Sequence, residues 1–250
     1  RGDLLKALGW ANQQTRALAE LNRFLAELDD PQLAQNLRGH AGKTAYFQGL
    51  RGEMHADMGN TDQAIPDYQQ ALAHYRQRDR DEPDNNQILT QVMRFEMGLA
   101  NMFSRQAKWP EALSHARAGE ATAARLVAMD SLDASARRNH ANQRQALAQV
   151  LASAGQHAEG QRTIEQALET YRALQAADVD NDSLVRDHAN ALKDAGDVYR
   201  AAGQADRACA YYRESAVLWE RLEAAAEVTA YDREQGRRTL DEALASYCAA

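Results

Sequence analysis

The stretch Ala191–Ser215, ALKDAGDVYRAAGQADRACAYYRES, recurs in weakened form along the rest of the chain. Within it the small residue Gly196 precedes a turn glycine, Gly203, and Ala208 follows that turn at helical spacing. Shifts of 48 residues toward the N-terminus superpose similar residues: Gly155, Ala107 and Gly59 on Gly203, and Gly160, Ala112 and Ala64 on Ala208. A period that is kept three times without an insertion predicts repeated helical hairpins that stack in a row.

The repeat predicts an all-α protein, a right-handed α-solenoid of about ten helices paired as antiparallel hairpins. Four prolines and many Ala, Leu, Arg, Gln and Glu residues favour helix throughout. We expect one solenoid domain over residues 1–250, composed of an opening half-repeat (1–30), four units (31–82, 83–130, 131–178 and 179–226) and a capping helix (227–250). Asp30 is the expected N-cap of the first helix of unit one, with Pro31 at its first position.

Each first helix carries a small residue close to a large one. The small set is Gly52, Ala100, Ala148 and Gly196. A small side chain lets the antiparallel partner helix approach to about 8–10 Å, and a large neighbour fills the next gap. We therefore expect a leucine at position 196 to destabilise the fold by about 1–3 kcal/mol through overpacking.

Charge and composition exclude several functional classes. The formal net charge is −7, whereas broad binding of nucleic acid or anionic membrane needs a basic surface. No apolar run approaches the roughly 20 residues that cross a bilayer, so we expect a soluble, cytoplasmic protein. Cys209 and Cys248 fit no metal-ligand spacing, and one pair is too few for a disulfide framework. We expect both cysteines to be reduced.

The order of small residue, large residue, Gly-x-x-x-x-Ala and aromatic residue resembles the tetratricopeptide repeat (TPR) family from about Gly42 to Tyr247. The usual unit of that family has about 34 residues, and the longer unit here adds nearly two turns to each helix. Val185–Gly203 and the acidic linkers are similar to the long-helix repeats of bacterial multidomain signalling proteins. The chain departs from the pattern at Ala107, Gly119 and Gly160.

The resemblance implies that the first helices line a concave groove that holds a peptide. The candidate groove residues, taken at equivalent positions of these helices, are Arg94, Asn101, Arg138, Asn142, Gln145, Arg186, Asn190 and Lys193. Amides and cations that project together can hold a peptide backbone and an acidic group through hydrogen bonds. The alternative is an ordinary solvated helix face. The densest cluster is Arg186, Asn190 and Lys193.

Other candidate sites are weaker. The Asp178–Asp182 stretch resembles the start of a calcium loop, but Ser183 stands at the sixth place and Ala189 at the twelfth, so a helix-capping linker is expected. His140 and His188 occupy equivalent positions without a third ligand in sight. The chain carries no catalytic motif, so we expect no enzyme, no cofactor and no bound metal.

These observations predict a non-enzymatic interaction scaffold that binds a peptide or a partner domain in its groove. An alternative is a cis-acting regulatory or oligomerisation arm of a larger bacterial signalling enzyme. The start at Arg1 suggests that the chain is part of something longer, which favours this alternative. The fold alone does not choose between them, because one scaffold serves unrelated partners.

Overall fold

A computed structural model describes residues 2–28, 40–225, 229, 232 and 236–248 of the chain. The described residues form ten helices, and these are α1 (Gly2–Leu28), α2 (His40–Asp57), α3 (Thr61–Asp81), α4 (Asn86–Arg105), α5 (Trp109–Met129), α6 (Ala134–Ser153), α7 (His157–Ala177), α8 (Asp182–Ala201), α9 (Ala205–Ala224) and α10 (Arg238–Tyr247). The predicted all-α architecture of sequential hairpins is confirmed. Asp30 and Pro31 lie outside the described residues.

The chain divides into two compact units, residues 1–122 and 123–250. In the first unit α1 packs on α2, α2 on α3 and α3 on α4, while in the second α6 to α10 pack in sequence. First helices of successive hairpins also touch, α2 with α4 and α6 with α8. The single domain over 1–250 and its division into four units stay predictions.

Left-handed residues close the hairpin turns. Gly59, Gly155 and Gly203 have φ of +78°, +78° and +74°, and Ala107 has φ of +54°. At the last glycine turn, the Gln204 amide donates to Tyr199 O at 3.0 Å and the Gly203 amide donates to Arg200 O at 2.9 Å. This pair of bonds is the Schellman ending of a helix, in which a left-handed residue lets the chain turn back.

Polar N-caps begin three first helices. The Asp133 carboxylate accepts from the Ser135 amide at 2.8 Å. Asn85 and Asn181 use their side-chain oxygens in the same way at the starts of α4 and α8. Each cap supplies an acceptor for a backbone amide that the helix itself leaves unpaired. The linker that resembles a calcium loop therefore contains a helix cap.

The core confirms the close approach predicted at Gly196. Tyr212 of α9 is fully buried, and a Cβ built on Gly196 of α8 would lie 2.2 Å from its ring. Gly52 of α2 faces Tyr68 of α3 in the same way, with the added Cβ at 3.0 Å. A glycine in the first helix thus admits a large ring from the second helix.

The expectation that both cysteines are reduced is wrong. Cys209 and Cys248 form a disulfide, with an S–S distance of 2.07 Å and a Cα–Cα distance of 5.5 Å. The start of the second turn of α9 lies beside the end of α10, because these two helices pack against each other. We call the described residues 229, 232 and 236–248 the C-terminal cap.

None of the described helices is both long enough and apolar enough to cross a membrane.

Candidate functional site

Hydrogen bonds join the first helices of the second unit, α6 and α8. Arg138 on α6 donates to the Asp187 carboxylate on α8. Two helical turns further along α6, Gln145 Nε2 donates to Asp194 Oδ2 at 2.6 Å. Both pairs have the same sequence separation of 49 residues, so the two helices keep one register along this surface. The predicted residues Arg138 and Gln145 are therefore engaged with carboxylates of the next repeat.

A buried tyrosine fixes two of the predicted amides. The Tyr171 hydroxyl donates to Asn142 Oδ1 and lies 3.1 Å from Gln145 Oε1. Burial, together with the charge of Asp187, raises the pKa of Tyr171 far above its usual range, so the hydroxyl keeps its proton. The orientation of both amides on this surface is thereby set by the α7 helix behind them.

A polar cleft opens next to these residues, with a volume of about 280 Å³. It gathers side chains from α6, α8, α9 and the C-terminal cap. Its lining residues are Gln145, Asn190, Lys193, Asp194, Trp219, Asp232 and Gly236. Two members of the densest predicted cluster, Asn190 and Lys193, thus lie in one cleft, and the third, Arg186, contacts the cleft residue Asp232.

Carboxylates surround the ammonium group in this cleft. Lys193 Nζ lies 2.8 Å from Asp197 Oδ2 and 3.5 Å from Asp194 Oδ1. Burial alone would lower the pKa of Lys193, but these two carboxylates outweigh it and the net shift is upward. Burial raises the pKa of Asp194 above its usual value. Lys193 therefore stays charged, and its charge is already compensated within the fold.

An ion pair joins the C-terminal cap to α8. Arg186 Nε lies 3.2 Å from Asp232 Oδ1. The other carboxylate oxygen accepts from the Thr229 amide at 2.9 Å and from the Thr229 hydroxyl at 2.7 Å, and the Asp232 amide donates back to that hydroxyl at 3.1 Å. This reciprocal pattern is that of a capping box, with aspartate as its acid. Arg186 is thus a contact to the cap.

Two polar groups of the cleft have no hydrogen-bond partner among the described residues. The Trp219 side chain is 1% exposed, and its indole N–H has no hydrogen-bond partner. A buried donor without a partner costs about 1–3 kcal/mol. The half-buried Asn190 side chain lines the same cleft, and its amide makes no hydrogen bond to any residue that the structure describes.

The first unit holds the remaining predicted residues. Arg94 on α4 donates to the Glu53 carboxylate on α2, again joining successive first helices. Asn101 is exposed on α4. Deeper in this unit, the buried Glu96 carboxylate contacts Arg76 and His115, with 2.7 Å to His115 Nδ1. That cluster holds three helices together.

Sequence reasoning missed the acidic partners and the tryptophan. The 48-residue repeat places Arg186 and Lys193 at the equivalents of Arg138 and Gln145, and Asp187 and Asp194 are the residues that follow them. A search at an offset of 49 residues would therefore have found both acidic partners. Asp232 and Gly236 enter the cleft only because the C-terminal cap folds back onto α8 and α9, where Gly236 lies against the Trp219 ring. No local pattern marks that contact.

The described part of the chain contains no group of three His, Cys, Asp or Glu residues that could hold a metal ion. His188 is buried, and its Nδ1 lies 2.6 Å from Gln175 Oε1. Burial lowers the pKa of His188 to about 4, with a smaller contribution from Arg172. This histidine is therefore a neutral core residue at physiological pH.

No protein-family profile matches the chain. No curated protein matches it either. Among solved structures, the chain is similar to a protein of nearly identical TPR-like repeats, which is assigned to a kinesin light chain of Podosopora anserina. The two chains are 17% identical with a TM-score of 0.60, and the match covers 88% of this chain and 93% of the other. A point variant of those repeats gives a TM-score of 0.62 at 17% identity, covering 89% of this chain and 94% of the other. The apo form of RapI gives 0.55 at 13% identity, with 91% and 60% covered. These similarities show a TPR-like fold.

Proposed function

We propose that the chain is a protein-interaction module that binds an extended polypeptide segment on the first-helix surface of its second unit. The observation that carries this proposal is the cleft, which is lined both by Lys193 and by the Asn190 amide, a group without a hydrogen bond among the described residues. TPR-like folds are typical of peptide-binding scaffolds, and that likeness supports the general class of function.

The chemistry of the cleft favours recognition of peptide groups. A free carboxamide such as that of Asn190 can accept from one peptide N–H and donate to one peptide C=O. A volume of about 280 Å³ is at the small end for ligand pockets, so the cleft takes one residue of a longer segment. The cations Arg186 and Lys193 already face carboxylates, which disfavours capture of a strongly acidic group.

The surface extends along the predicted residues of α6, with Asn142 and Gln145 held by Tyr171. Rigid polar groups bind with a smaller loss of conformational entropy than mobile ones. In the first unit, Arg94 and Asn101 form a second proposed contact area. We also propose that the repeating unit has 48 residues and that the chain belongs to a bacterial signalling protein. The left-handed hairpin turns, which recur every 48 residues, support the proposed repeat length.

The cis-acting regulatory or oligomerisation arm stays a prediction without a specific observation in its favour. The cytoplasm is the proposed compartment. Disulfides are rare in cytosolic proteins, and those that occur there are mostly transient or redox-sensing, so a cytoplasmic location requires the Cys209–Cys248 bond to be reversible.

The experiment that tests the proposal is selection of binders from a random 12-residue peptide library displayed on phage, followed by fluorescence polarisation. Asn190→Ala should weaken binding of the selected peptides at least tenfold, because it removes an amide that lines the cleft without breaking an ion pair of the fold. The matched control carries Arg213→Ala and Glu220→Ala on the exposed face of α9 and should bind normally. Helical circular dichroism should be the same for all three proteins.

Peptides that bind wild type and the Asn190→Ala variant equally would remove the cleft from the interface. Peptides that lose binding only in the α9 control would place the interface on the second helices instead.

A further inference from the structure

We propose that the Cys209–Cys248 disulfide is a reversible tether that holds the C-terminal cap against α9 and so controls the cleft. The redox-dependent opening of the cap does not depend on the proposed function, whereas its effect on peptide binding rests on that function. Three features of the cap lead to this inference: its small buried surface, its position over Trp219, and its contribution to the cleft wall.

The cap helix α10 is too small to dock strongly by itself. It has ten residues, of which only Leu240 and Ala243 are buried. Isolated helices below about 12 residues are marginal in water, so α10 depends on its contacts to stay folded. Side-chain contacts of the C-terminal cap to the rest of the unit include Arg237, just before α10, to Glu223 at 3.3 Å and the Tyr247 ring, whose centre lies 4.6 Å from the Arg200 guanidinium. Exposed pairs of this kind contribute little individually.

The disulfide adds the missing restraint at the far end of this helix. It closes a loop with a sequence separation of 39 residues, which contains α9 from Cys209 onward and the C-terminal cap. In the chain-entropy description, a disulfide that closes a loop of this length lowers the population of the open state relative to the docked state by about 10²- to 10³-fold. Reduction should therefore shift the cap from docked toward open by a factor in this range.

Opening also relieves an unpaired polar group. The ring of Trp219 packs on Gly236 so closely that a Cβ at that position would lie 2.2 Å from it. In this docked arrangement the indole N–H has no partner among the described residues. When the cap leaves, water can accept from that N–H, which lowers the net cost of opening. The covalent tether offsets this disadvantage of the docked state.

The chemistry of opening is thiol–disulfide exchange with a dithiol reductant. Cys248 is partly exposed whereas Cys209 is buried, so the attacking thiolate forms its new S–S bond to Cys248 Sγ. The Cys209–Cys248 bond breaks, and Cys209 leaves as a thiolate that takes up a proton. The second thiol of the reductant then displaces Cys248. The reductant is oxidised to its own disulfide and supplies both electrons.

The cap provides two walls of the cleft, Asp232 and Gly236. Asp232 is also the partner of Arg186 on α8. When the cap opens, the cleft loses these walls, and Arg186 loses its carboxylate. Peptide affinity on this surface is therefore coupled to the oxidation state of the cysteine pair.

Hydrogen exchange followed by mass spectrometry tests the tether on the full chain, without any ligand. Wild type is compared in its oxidised form and after treatment with dithiothreitol. Amides of Leu240 to Leu244 should exchange about 100-fold faster after reduction or more, while amides of α7 (His157–Ala177) should be unchanged. A Cys209→Ser/Cys248→Ser variant should exchange rapidly at α10 under both conditions.

Equal protection of α10 in the oxidised and reduced proteins would overturn the tether, as would two titratable thiols in the air-oxidised protein. Binding of the selected peptides is then measured in both states, with a tenfold loss expected on reduction. Unchanged affinity with an opened cap would refute the link to the cleft. If no peptide binds in either state, the proposed function fails, whereas the exchange experiment still decides the tether.

Discussion

Replacement of Gly196 by alanine should destabilise the second unit, although alanine is the better helix former. Gly196 lies in the interior of α8, where alanine alone would stabilise the helix by about 1 kcal/mol. The new Cβ would, however, lie 2.2 Å from Tyr212 Cε1, 2.4 Å from Cδ1 and 2.8 Å from Cζ. Real contacts of this kind are about 3.5 Å or longer, so ring and backbone would have to separate by more than about 1 Å.

The Tyr212 ring cannot make that movement freely. It is fully buried, and its hydroxyl donates to Asp197 Oδ1 at 2.7 Å. Overpacking of a closed core costs about 1–3 kcal/mol, and a strained hydrogen bond to a carboxylate adds about 1 kcal/mol. After subtraction of the helix-propensity gain, we expect a loss of about 2 kcal/mol in the free energy of unfolding.

Urea denaturation followed by circular dichroism at 222 nm measures this loss. The matched control is Gly52→Ala on α2, where the added Cβ would meet Tyr68 at 3.0 Å, and the loss should be less than about 1 kcal/mol. A Gly196→Ala/Tyr212→Leu double variant should show a favourable interaction energy of about 1 kcal/mol or more, because it removes the ring that the methyl group meets. A more stable Gly196→Ala protein would refute the close packing of α8 on α9.

Four further substitutions test other parts of the structure by the same denaturation. Ala107→Gly should raise the free energy of unfolding by up to about 1 kcal/mol, because φ is +54° at that position. Gly203→Ala should lower it by about 1 kcal/mol for the same reason. Changes of the opposite sign would contradict the left-handed turns. Burial lowers the pKa of His188 to about 4, so the folded protein binds this proton less readily than the unfolded chain does. As the pH falls from 6.5 to 4, the free energy of unfolding of wild type should therefore decrease by up to about 3 kcal/mol relative to that of His188→Asn. Parallel pH profiles of the two proteins would contradict this. Glu96→Gln should cost about 1–3 kcal/mol because the buried carboxylate contacts Arg76, and an unchanged midpoint would exclude that role.

Local features of the fold could be predicted because their causes are local. A turn that needs positive φ favours glycine, so Gly59, Gly155 and Gly203 marked the hairpins in the sequence itself. A small residue at Gly196 marked the close approach of two helices in the same way. Ala107 shows the limit of this signal, because the turn is kept there without the glycine.

The long-range pairings could not be predicted, because they depend on how one element lies on another. The two cysteines carry no spacing motif, and their bond forms only because the cap returns along α9. The same return brings Asp232 to Arg186, so a residue predicted to bind a ligand contacts the cap instead. Of the predicted cluster, Asn190 and Lys193 do line the cleft, and their role in binding stays a prediction.

Chemical-shift mapping with a selected peptide tests the central claim most directly. The Trp219 indole signal can be identified by its loss in Trp219→Phe, and the signals of Asn190 and Lys193 can be assigned in the same spectra. We predict that the peptide shifts these three signals in the oxidised protein. Shifts confined to the exposed face of α9 around Arg213, with the cleft signals unchanged, would contradict the account.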